Sequence, residues 1–215
     1  MFRLSLYIIG TPYAYVTFVT VACTQLQKVK DSLLKMKAIS ESEQSEDGRC
    51  NKEKVELRMQ EEFNDIVRLH QEVISYINTL EDMMCLLLGG ILFFILALQC
   101  TAAFAAVMSL ERKNDLSRAV YLYLTVTFAA VIYCGFGTVL SQEYESVSNA
   151  AISSDWVGTP VSFQKCISFM IAISNRGFTL TAAKFVPVSN STLMSMINES
   201  ISLFMFLLTM KDKND

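Results

Sequence analysis

The chain has 215 residues, 52% of them hydrophobic and 18% charged, with a formal net charge of −3 and a single histidine. So slight a charge imbalance, with no basic cluster interleaved with aromatics, argues against a nucleic-acid partner. No G-x-S-x-G, H-E-x-x-H or Walker loop occurs and no cysteine–histidine dyad is present, which excludes the enzyme classes those motifs carry.

Residues 4–26 carry no charge, which is enough for an α-helix to cross a hydrocarbon core that needs roughly 20 residues. The opening "MFRLSLYIIG" mimics a signal peptide because Arg3 precedes the apolar run. No small-x-small cleavage site ends that run, so residues 1–26 are expected to form a membrane span. Residues 27–51 follow as a polar loop. Within it, "AISESEQSEDGRCNK" (38–52) lacks hydrophobic periodicity and is expected to be partly disordered.

The pattern changes at residue 52. Met59, Phe63, Ile66, His70, Val73, Ile77, Leu80 and Met84 recur at steps of four and three, the seam of a packed heptad helix over 52–84. Glu61, Glu62, Asp65, Arg68 and Glu72 fall on the opposite, solvated faces. His70 at a seam position is first a packing and register device, with a pH switch or a metal ligand as alternatives. Neither proline nor glycine interrupts 52–88, so the seam and the uncharged run 85–110 are expected to form one helix of about 55 to 60 residues.

Residues 111–118 form a short loop and 119–142 a further span. The stretch 143–190 contains an apolar region, 161–186, that carries Lys165, Arg176 and Lys184. Each such charge costs about 2.5 to 3.5 kcal/mol at a helix centre in lipid, so 143–190 is read as helices packed on protein or skirting the membrane. The last run, 191–210, is broken only by Glu199, whose carboxylate must face protein or water, and 211–215 form a short tail. Glu143, Glu145 and Asp155 follow the third full span and are read as solvated or paired, with an ion path as the other reading.

The six cysteines, Cys23, Cys50, Cys85, Cys100, Cys134 and Cys166, are scattered without a C-x-x-C pair, so neither a zinc site nor a disulfide framework nor any other cofactor is expected. Twelve of the eighteen basic residues fall in 27–84 and 143–190, which makes that side cytoplasmic by the positive-inside rule. Loop 111–118, tail 211–215 and the chain start then face outward, an orientation that leads to the expectation of further spans upstream. The sequons at Asn190 and Asn198 lie on the cytoplasmic side or within the membrane and are expected to be unmodified. The fold class is an all-α polytopic membrane protein whose long helices extend into a cytoplasmic anchor region.

"RLHQEVISYINTLEDMM" resembles the helix of insect odorant receptors that carries a histidine ahead of their fifth span. "SNAAISSDW", "AAKFVPVSNSTLMSMI" and "SISLFMFLLTM" are similar, in order and spacing, to that family's C-terminal signature. The resemblance covers essentially the whole chain and implies that residues 1–26 are the fourth of seven spans. It further implies a subunit of an odorant-gated nonselective cation channel in the membrane of sensory-neuron dendrites, a heterotetramer with a shared co-receptor that binds a small volatile odorant.

By the same resemblance, 191–210 would line the pore, with Phe206, Thr209 and Met210 at its gate. Phe63, Ile66, His70, Val73, Ile77 and Leu80 would pack in the anchor, covered by neighbouring helices. Tyr13, Tyr15, Tyr121, Tyr123 and Phe128 are candidates for contacting ligand. The family's Ser-Tyr-Ser-Tyr is Ser200-Ile201-Ser202-Leu203 here, so any hydrogen bonds of those tyrosines are lost. The Thr-Tyr and Gln-Phe pattern of the sister gustatory family is absent. The rival readings are a membrane adaptor built on a plain coiled coil and a secondary transporter using the acids near 143 and Glu199.

Overall fold

The structure, a computed structural model, describes the backbone of residues 2–43, 52–109, 113–153 and 161–214, and side chains over 10–35, 63–109, 114–153, 164–211 and at 213. Five α-helices dominate: α1 (Phe2–Glu43), α2 (Lys52–Met108), α3 (Lys113–Ser153), α4 (Val161–Ser174) and α5 (Asn190–Asn214). The chain is an all-α polytopic membrane protein. Among the described residues three helices, α2, α3 and α5, are long and apolar enough to cross a membrane. The first expected span, 4–26, is helical throughout, and the side chains of 4–9 lie outside the described residues.

The polar insertion expected as a loop from residue 27 is helical as far as Glu43, because the packed stripe of α1 continues past the apolar run. Val19, Ala22, Leu26, Val29 and Leu33 are all buried, at steps of three and four. Residues 44–51, with Cys50, lie outside the described residues, as do 110–112 of the short loop and Asp155.

Heptad seam and apolar run form one helix of 57 residues, α2. Phe63, Ile66, His70, Val73, Ile77 and Leu80 are buried, and burial resumes at Cys85, Leu88, Leu92, Ile95 and Gln99. Met84, expected next in the seam, is only half-buried, and Cys85 takes its place. A stripe repeating every 3.5 residues drifts by about 20° per heptad on a helix of 3.6 residues per turn. Three heptads accumulate about 60°, after which the following residue lies closer to the original face.

Helices were expected throughout 143–190, but beyond Ser174 the chain leaves the helix. Gly177 adopts φ +67°, and β-branched residues around Pro187 set up two short antiparallel strands, β1 (Thr181–Ala182) and β2 (Val186–Pro187). The turn between them places Ala183 at φ 52° and Lys184 at φ 62°, closed by the Phe185 amide donating to the Ala182 carbonyl at 3.1 Å. Two successive left-handed positions are the signature of a type I′ hairpin turn, which favours Asn-Gly. Ala-Lys in that role costs on the order of 1 to 3 kcal/mol per residue, so contacts elsewhere must hold the turn.

The chain divides into two compact units, Met1–Val16 with Glu81–Thr138 and Thr179–Asp215, and Thr17–Leu80 with Val139–Phe178. The first has a core of Tyr15, Leu88, Leu92, Ile95, Ala130, Tyr133, Leu180, Val188 and Leu193. The second is built on the α2 seam, the α1 stripe, and Leu140, Val147, Ile167 and Met170.

Candidate functional site

Helix α5 begins at an N-cap, Ser189, whose Oγ accepts from the Thr192 amide at 3.5 Å. Leu193, Met196 and Ser200 are buried at steps of three and four, and Ser200 Oγ lies 2.8 Å from the Tyr123 hydroxyl of α3. From residue 201 onward none of the described side chains of α5 is buried. Its apolar stretch is the least covered by the rest of the chain among the three span-length helices.

The exposed face of α5 is mixed. Ser191, Ser195, Asn198, Ser202 and Thr209 recur along it at heptad steps, flanked by Met194, Met205, Phe206 and Met210. Glu199, also exposed, has no side-chain partner among the described residues, and neither has Asn198. Ser195 and Thr209 return their hydroxyls to the helix, donating to the carbonyls of Ser191 at 3.2 Å and Met205 at 3.0 Å. A carboxylate and a carboxamide cannot be satisfied in that way.

The outward residues of α2 over its apolar run offer a contrast: Leu86, Leu87, Phe93, Phe94 and Phe104 are hydrocarbon. Those faces suit lipid. The α5 face does not, because an acid facing hydrocarbon near mid-span costs about 2.5 to 3.5 kcal/mol. Phe206, Thr209 and Met210 all lie on or beside this face, with Phe206 60% and Met210 47% exposed.

The seam residues Phe63, Ile66, His70, Val73, Ile77 and Leu80 are covered by helices of this same chain. In the second unit Tyr76 donates to the Phe18 carbonyl of α1 at 3.3 Å, and His70 Nε2 lies 3.4 Å from the Ser174 hydroxyl at the end of α4. The covering of this seam therefore needs no neighbouring subunit. His70 stands fifteen residues ahead of the uncharged run that opens at Cys85. Burial removes water from its ring and pushes the imidazole below its ordinary value of 6.5, which favours the neutral form. No group of three or more metal-ligating side chains occurs among the described residues.

The five aromatic candidates for ligand contact do not converge. Tyr15 is in the core, its hydroxyl donating to the Tyr133 carbonyl at 2.9 Å and its ring 5.2 Å from that of Tyr133. Tyr123 is half-buried and tied to Ser200, while Tyr13, Tyr121 and Phe128 point outward, each more than two-thirds exposed. Sequence reading missed Gln99, wholly buried in the apolar run of α2. Its Nε2 donates to Thr127 Oγ1 at 3.2 Å, and its Oε1 is buried without a hydrogen-bond partner among the described residues. An amide inside an otherwise apolar span was the signal available.

The family model described as 7tm Odorant receptor matches residues 4–201. Odorant receptor 63a of Drosophila melanogaster is 31% identical over 93 residues, 43% of this chain and 22% of the relative. Odorant receptor 85c of the same species is 22% identical over 67% of this chain and 37% of the relative. The Odorant receptor coreceptor of Aedes aegypti is 24% identical over 74% of this chain and 33% of the relative. The chain thus spans between about a fifth and two-fifths of the length of these relatives. With 198 consecutive positions inside the matched range, the chain belongs to the 7tm odorant receptor family.

Proposed function

We propose that this chain is part of an odorant receptor subunit, that the assembled receptor is an odorant-gated nonselective cation channel of sensory-neuron dendrites, and that α5 lines its pore. The observation that carries the reading is the outward face of α5, a ladder of serine, asparagine and threonine beside an acid that has no side-chain partner among the described residues, in a helix apolar enough to cross a bilayer. Such a face needs water or protein beside it, and a water-filled path between subunits supplies both. Phe206 and Met210 place bulky apolar side chains one turn apart on that face, where a ring of them closes a pore by dewetting.

The proposed partner is an odorant receptor coreceptor, in a heterotetramer embedded in membrane lipid. Similarity to coreceptors of mosquitoes supports a subunit surface shared within the family. The seam residues, packed by helices of their own chain, form the anchor region of this reading. An adaptor without a pore gives no reason for Asn198 and Glu199 to face away from the chain.

The test is whole-cell recording from cells expressing a full-length subunit that contains this chain together with a coreceptor, with surface delivery verified and a panel of volatile odorants. A unit charge about 4 Å from an ion in a water-like medium is worth about 1 kcal/mol, roughly fivefold. Thr209→Lys is expected to lower cation relative to anion permeability by about that factor. Odour-evoked current of unchanged selectivity would remove α5 from the pore.

A further inference from the structure

The hairpin that leads into α5 is bound to two other helices at points where no side chain could be larger. On α2, the Ala183 amide donates to the Cys85 carbonyl at 2.7 Å, and Thr181 Oγ1 donates to Glu81 Oε1 at 2.8 Å. Lys184 Nζ lies 3.4 Å from Asp82 Oδ1, an exposed pair that adds little by itself. One turn on, Gly89 leaves the space that Ala183 fills: a Cβ at 89 would stand 2.8 Å from the Ala183 Cβ and 3.1 Å from its amide nitrogen.

On α3 the arrangement repeats. A Cβ at Gly137 would run into the Val188 carbonyl, and the neighbouring Thr138 hydroxyl accepts from the Asn190 amide, the first of α5, at 2.9 Å. That hydroxyl donates in turn to the Cys134 carbonyl at 2.9 Å, so the start of α5 is hydrogen-bonded into the body of α3. Between the two anchorages the hairpin closes on itself through the Val188 amide donating to the Leu180 carbonyl at 2.7 Å.

We propose that residues 180–188 are a clamp that positions the first turns of α5 by gripping α2 at Gly89 and α3 at Gly137. The left-handed Ala183 and Lys184 are the seat of that grip. In solution Ala-Lys would leave this turn readily, and it is the contacts to α2 that keep it. A relative shift of α2 and α3 must therefore either carry the start of α5 with it or break the clamp. The inference rests on the channel reading only in naming the α5 face as a pore wall, since the clamp itself is a property of the packing.

The test is hydrogen exchange on the full chain in lipid nanodiscs, without odorant or current. In the unsubstituted chain the amides of Ala183, Val188 and Asn190 are expected to be protected. Gly89→Ala is expected to speed exchange at least tenfold across 180–196, and Gly89→Ala with Ala183→Gly, which removes the nearest of the atoms the new methyl meets, is expected to restore most of the protection. Thr181→Val with Lys184→Glu adds no bulk to the interior and keeps the question answerable if Gly89→Ala fails to fold. It is expected to loosen the same segment to a lesser degree.

Unprotected hairpin amides in the unsubstituted chain would overturn the proposal. So would protection unmoved by either variant, or a freed hairpin beside unchanged amides at 190–196. Since no current is read, these results leave the Thr209→Lys measurement to decide the channel reading separately.

Discussion

His70 and Gln99 are the two buried polar side chains that disclose most at the residue scale. His70 is held neutral by burial, so the unfolded chain binds the more protons between its lowered value and 6.5. Stability from this contact is therefore complete above about pH 6.5 and declines as pH falls, the imidazole having to charge inside the packing. Thermal unfolding followed between pH 7.5 and 5 is expected to lose stability on the acid side, and His70→Leu to flatten that dependence. Gln99 has an acceptor without a partner among the described residues, and a buried acceptor left so costs about 1 to 3 kcal/mol. Gln99→Leu is expected to raise the melting temperature in detergent, and a clear fall would mean that the amide has a partner.

Helices and their faces behave differently from one another at the element scale. Leu80 is 1% and Met83 62% exposed on neighbouring turns of α2. Leu80→Ala is expected to cost about 2 to 5 kcal/mol and Met83→Ala well under half of that, by chemical denaturation in micelles. This division was legible in the sequence because charges alternate with the heptad seam, and only the drift at Cys85 had to be seen. Over α1 and α3 the same reasoning had no purchase. Their stretches 4–26 and 119–142 carry no charge to mark an outward face, so periodicity could not tell buried Tyr15 from outward Tyr13, or half-buried Tyr123 from exposed Tyr121. The hairpin was hidden for another reason: its geometry is set by glycines at 89 and 137, remote in sequence from the turn they admit.

Two kinds of outward surface coexist on the whole molecule. The spans α2 and α3 present hydrocarbon and aromatic rings, as a surface solvated by acyl chains should. The last helix presents hydroxyls and an amide in one stripe with an acid on its flank, and nothing in the described chain covers them. What the sequence offered here was Glu199 and the tail signature. That the polar positions all fall on the side away from Leu193, Met196 and Ser200 required the packing to be seen. Assembly around a common axis would bring several such stripes together and leave the hydrocarbon faces to the bilayer, with cyclic symmetry closing the ring.

Cysteine accessibility along α5 in the assembled receptor tests this most directly. Single cysteines at 195, 198, 202 and 209, in cells expressing a full-length subunit that contains this chain with a coreceptor, should react with a charged, membrane-impermeant thiol reagent. Cysteines at 193, 196 and 200 should not, giving a reactivity that follows the heptad of the polar stripe. Outward positions that resist the charged reagent and react instead with a lipid-phase probe would show that this face of α5 meets acyl chains and that the account of its role is wrong.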